Sequence, residues 1–126
     1  MVEGLSFLSM YGYRLLRAED TSSEASGRIC AVEYAAAETC RAVAVTYFPD
    51  LQRAGTSIRR TDDDFNFADA GSMALREPAF AEMPGEGVDK LSNYLQAIKG
   101  QLSSRYLNVL TGGEITNDAF DWSPYK

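Results

Sequence analysis

The chain has 126 residues, 45% apolar and 24% charged, enough to bury a core in one domain without disulfides or metal and too balanced for wholesale disorder. It contains no histidine, which excludes Ser-His-Asp and Cys-His nucleophiles, histidine-ligated zinc and an imidazole base. The net charge of −6 is unevenly spread: residues 62–89 hold eight carboxylates against Arg76 alone, a net of −7, while the other ten acids and eleven bases nearly cancel.

Residues 4–11 (Leu5, Phe7, Leu8, Met10, Tyr11) suggest a short opening helix stopped at Gly12, and Tyr13 to Glu19 reads as a first strand. The polar stretch 20–27 has nothing to bury and reads as a loop. Residues 28–36 and 39–48 are the strongest strands, rich in Val, Ile, Tyr and Thr at period two. A fourth strand is expected over 55–61, and short connections favour an antiparallel meander. Asn66 is placed to cap a short helix over 67–75. Residues 88–110 give the clearest helix, with Val88, Leu91, Leu95, Ile98 and Leu102 in one stripe and Gly112-Gly113 as the stop. The aromatic tail (Phe120, Trp122, Tyr125) is expected to pack back onto the domain. A meander with one apolar face and a helix with one apolar stripe bury each other, so the expected fold is a single α+β domain. Its meander of about four strands packs against a long C-terminal helix plus short helices.

If Cys30-Val32-Tyr34 and Val43-Val45-Tyr47 share a face across a tight turn near Ala37-Glu38, Cys30 lies opposite Val45. Cys40 then points away, so two free thiols are expected. That suits a reducing compartment, and with no secretory signal and no run of about 20 apolar residues, a cytoplasmic location is expected.

No glycine-rich phosphate cradle is present. Asp62, Asp64 and Asn66 imitate a calcium loop, but Phe67 stands where glycine is needed and Met73 where a bidentate Glu belongs, so no metal or cofactor is expected. Arg14 and Arg17, three apart on a strand, are expected on opposite sides, as are Arg59 and Arg60. With a pI near 4.6 and no basic cluster, nucleic-acid binding is not expected, and with no histidine and no catalytic motif neither is catalysis. The remaining candidate is the acidic stretch itself. Asp62, Asp63, Asp64, Asp69, Glu77, Glu82 and Glu86 are interleaved with Phe65, Phe67, Met73, Leu75, Phe80 and Met83, a mixture of anchors and charged rim suited to a protein partner. A solvated, merely solubilising loop is the plain alternative.

Several features occur in a suggestive order. Tyr11-Gly12-Tyr13-Arg14 opens the first strand, and Val32-Glu33-Tyr34 and Val45-Thr46-Tyr47 lie in the meander. Asp63, Asp64, Phe65, Phe67 and Asp69 follow, then Val109 to Glu114 after the helix. In this the chain resembles small bacterial immunity-type proteins encoded near toxin systems such as contact-dependent growth inhibition. The resemblance implies a non-catalytic inhibitor that binds a cognate, basic, nuclease-like toxin through an acidic face. Two other readings stay open: a small-molecule or peptide-binding module with a pocket lined by Tyr34, Tyr47 and Tyr94, and a structural subunit of a phage or secretion assembly.

Overall fold

Alternating β-branched and aromatic residues build the sheet one strand after another. The computed structural model describes residues 2–25, 27–61, 72–75 and 79–113. Within them β1 (Arg14–Ser23), β2 (Gly27–Ala36), β3 (Arg41–Phe48), β4 (Arg53–Arg60) and β5 (Ser72–Leu75) form one antiparallel sheet in the order β1-β2-β3-β4-β5. The chain opens with α1 (Val2–Leu5) and a 3-10 turn over Ser6–Tyr11, and closes with α2 (Gly87–Leu102) and α3 (Leu107–Leu110). The α+β class and the meander follow the expectation.

The inner face of the sheet carries Val32, Tyr34, Val43, Val45, Tyr47, Ile58 and Leu75, all buried. Leu5, Phe7 and Leu8 from the N-terminus and Tyr94, Leu95, Ile98, Leu102, Val109 and Leu110 from the C-terminus cover it. Each such side chain fully removed from water contributes about 1.5–3 kcal/mol before entropy is counted. Gly4 permits the close contact between α1 and α2, since a Cβ there would stand 2.8 Å from Leu95 Cδ1. Gly12 ends the 3-10 turn at φ 85°, a conformation glycine adopts freely. Two hydroxyls tie the layers: Tyr13 Oη donates to the Leu110 carbonyl at 2.7 Å, and Tyr94 Oη lies 2.8 Å from Thr56 Oγ1. No helix among the described residues is long and apolar enough to cross a membrane.

Four expectations change. Residues 72–75 are a fifth strand paired with β4, not the end of a helix; the rest of the expected 67–75 helix and its Asn66 cap lie outside the described residues. The C-terminal helix stops at Leu102 rather than running to 110. Ser104 Oγ bonds the Gly100 carbonyl at 2.6 Å and the Tyr106 amide reaches back to Gln101, a turn that swings Tyr106, Val109 and Leu110 into the core. The expected 20–27 loop is mostly strand: backbone pairing carries β1 to Ser23, and an Asp20–Arg28 ion pair at 2.7 Å spans the hairpin. Its guanidinium holds the Asp20 carboxyl below the usual carboxylate range.

Finally, Cys30 faces Tyr47, not Val45, because the β2–β3 turn spans residues 37–40 instead of two residues. A slip of two positions preserves which face each side chain takes, so the apolar assignment survives the wrong register. Cys40 closes that turn at φ 54°, at the opposite end of the hairpin from Cys30, and both thiols are free.

Ile98 is fully buried whereas Val88, counted in the same stripe, is 80% exposed at the start of the helix. Ile98→Ala should therefore cost about 2–5 kcal/mol in urea unfolding, and Val88→Ala less than about 0.5 kcal/mol. Burial pushes the Tyr13 phenol from 10.0 up to about 12. Its protonated form is favoured in the folded chain, so this stabilisation is complete below pH 10 and is lost as pH rises through about 12. Unfolding followed from neutral to alkaline pH should show that decline, and Tyr13→Phe should reduce it while costing about 1–3 kcal/mol at neutral pH from the stranded Leu110 carbonyl.

Candidate functional site

Only part of the acidic candidate falls among the described residues. Of its residues, Asp62, Asp63, Asp64, Asp69 and Glu77 lie outside the described residues, while Glu82 and Glu86 are described and exposed, as is Asp89. Glu82 and Glu86 sit on the strap leading into α2, and Asp89 in the first turn of that helix. Phe80 anchors the strap: it is buried, 5.6 Å from the Tyr47 ring and edge-on to Tyr94 at 5.5 Å. Asn93 Nδ2 donates to the Pro84 carbonyl at 2.9 Å and fastens the far side to α2. The Lys90 ammonium rests over the Phe80 ring at 5.2 Å. Glu86 and Asp89 stand at the N-terminal end of α2, where the helix dipole favours negative charge. The strap thus holds its carboxylates outward on a fixed base.

Tyr34, Tyr47 and Tyr94 do not line an open pocket. All three are buried in the core, and the hydroxyls of Tyr34 and Tyr94 are engaged with the Val2 carbonyl and Thr56. Desolvation raises the Tyr94 phenol above its ordinary value.

The outer face holds a second charged constellation. Arg17 and Arg59 flank Glu33 on β2, with Nε to carboxylate distances of 3.4 and 3.0 Å. Glu33 is only 5% exposed. Arg14 and Arg17, expected on opposite sides, share this face. A bulge between Leu15 and Arg17 inserts one extra residue, so Arg14 pairs with Ala35 and Arg17 with Glu33, two positions apart on β2. Arg59 and Arg60 do alternate, as expected: Arg59 shares the row of Ala42, while Arg60 pairs with Arg41 on the inner side. Beside this cluster, where β1 begins and β4 ends, lies a cleft of about 480 Å³. Arg14, Leu15 and Leu16 form one wall, Arg59 and Thr61 the other, and Ala35, Ala36 and Ala37 lie between them. No signal in the strand alternation pointed to it, because the bulge that gathers the arginines is invisible to period-two reading.

Arg41 is buried at the same end of the sheet, donating from its Nη atoms to the Cys40 and Gly113 carbonyls at 3.0 and 2.6 Å and so capping the turn after α3. Among the described residues, no group of three or more Cys, Asp or Glu is placed to hold a metal ion. No protein-family model, curated protein or solved structure matches this chain.

Glu33 carries the outer-face network, so Glu33→Gln, which keeps its shape and removes its charge, should lower unfolding stability by about 1–2 kcal/mol. The difference should shrink in molar salt, since both arginines are about half exposed.

Proposed function

We propose that this chain is a non-catalytic immunity-type inhibitor that binds a cognate, basic, nuclease-like toxin in the cytoplasm through an acidic face contributed by residues 62–89. The observation that carries the reading is the charge distribution: that segment holds a net −7 while the rest of the chain is near neutral. Complementary fields of this kind accelerate encounter and fix the register of a complex. The part of the segment that is described supports a docking role, since Glu82, Glu86 and Asp89 are solvent-facing and the strap beneath two of them is pinned by Phe80 and Asn93. Carboxylates held on such a base, as Glu82 and Glu86 are, lose little freedom on binding, which favours affinity. On this reading the protein acts by covering the toxin's active site or substrate path and needs no bond-breaking groups of its own.

Calorimetric titration with the product of the adjacent gene tests the proposal. Tight binding is expected, weakening steeply as salt is raised. Replacing Asp62, Asp63 and Asp64 together by Asn should weaken it at least about tenfold, if each charge contributes about 0.5 kcal/mol or more at the interface. Absence of binding, or an affinity indifferent to both salt and the triple substitution, would remove the idea.

A further inference from the structure

The strand register places Arg14, Ala35, Ala42 and Arg59 in one row across β1 to β4 on the outer face. Three strand spacings of about 4.8 Å set the two arginine Cα atoms about 14 Å apart, with only alanine methyls between them. Arg14, Ala35 and Arg59 of this row line the 480 Å³ cleft, while Ala42 between them is fully buried.

Its charge is unbalanced. Arg14, Arg17 and Arg59 share this face with two carboxylates, Glu33 and Glu19, the latter 3.2 Å from Arg17, within a chain whose overall charge is −6. Arg59 commits its Nε to Glu33 and its side chain remains 45% exposed. Arg14 forms no ion pair among the described residues. A guanidinium fork with unfilled donors matches a planar oxyanion.

The walls add a second requirement. Leu16, the residue inserted by the bulge, is 57% exposed and lines the cleft. An inorganic anion would fill a small part of the volume and leave that leucine wet. The volume falls instead within the range of about 300–1,000 Å³ typical of organic-ligand sites. No aromatic ring lines the cleft for a nucleobase to stack on.

We propose that this cleft binds an aliphatic carboxylate, its oxygens held by Arg14 and Arg59 and its hydrocarbon laid on Leu16. The carboxylate belongs either to a free short-chain acid or to the C-terminus of a peptide. The site lies on the outer face, whereas the acidic strap is anchored in the core on the inner side, so it stands or falls independently of toxin binding.

The test is a titration of the ¹⁵N-labelled full chain, followed by amide chemical shifts, with hexanoate and with its neutral analogue hexanamide. Saturable shifts confined to residues 14–16, 35–37, 59 and 61 are expected with hexanoate, and binding at least about tenfold weaker with hexanamide. Arg14→Gln and Leu16→Ser, both at exposed positions, should each leave the remaining spectrum intact. The former should raise the hexanoate Kd about tenfold or more, the latter about threefold or more. A leucine-terminated tripeptide, with a free or an amidated C-terminus, distinguishes the two sources. Tighter binding of the free peptide than of hexanoate assigns the cleft to chain ends; the reverse order assigns it to small acids. Diffuse or non-saturating shifts, an equal response to hexanamide, or a Kd unchanged by Arg14→Gln would overturn the proposal.

Discussion

Burial of the sheet's inner face governs the arrangement of everything else, because the described elements that cover it are short and come from both ends of the chain. Val43, Val45 and Ile58 at the centre are completely closed off, yet no single element covers them. The 3-10 turn supplies Phe7 and Leu8, α2 supplies Tyr94, Leu95 and Ile98, and α3 supplies Val109 and Leu110. The Tyr13 hydroxyl bonded to the Leu110 carbonyl joins the start of this cover to its end. A buried donor and acceptor that satisfy each other there avoid a desolvation cost of about 1–3 kcal/mol, so the two termini of the cover are held in one geometry.

Because the inner tyrosines complete this packing, they are unavailable as the walls of a ligand site. Tyr47, Phe80 and Tyr94 form a chain of ring contacts, and Tyr94 directs its hydroxyl to Thr56 rather than into open space. Charge is displaced to the opposite sides of the molecule. The strap bearing Glu82 and Glu86 is tethered through Phe80 on the inner side, whereas Arg14, Arg17 and Arg59 stand on the outer face around Glu33. The two charge groups are kept apart by the thickness of the sheet and its cover.

The alternation of apolar residues in β2 and β3 was legible because the hydrophobic effect acts on each face separately, and a register error of two residues leaves the faces unchanged. It could not reveal β5, where four residues gain their identity from pairing with β4 rather than from their own propensity. Nor could it reveal the bulge at Leu16, since an inserted residue is defined only relative to the partner strand. The helical stripe was real from Leu91 to Leu102, but periodicity continued across Ser103-Ser104 while the backbone did not. A serine hydroxyl bonding a preceding carbonyl competes with the helix in a way that a count of apolar spacings does not register.

The sequence by itself determined the α+β class, the inward-facing residues of the central strands, the free cysteines and the concentration of negative charge in residues 62–89. These depend on composition and local period, which the chain carries wherever it folds. Tertiary structure alone decided that the tyrosines belong to the core and that Arg14 and Arg17 share a face. It also made a leucine-walled, arginine-flanked cleft at the end of the sheet. Such features depend on which strand lies beside which and in what register, and that is fixed only when distant segments meet to exclude water.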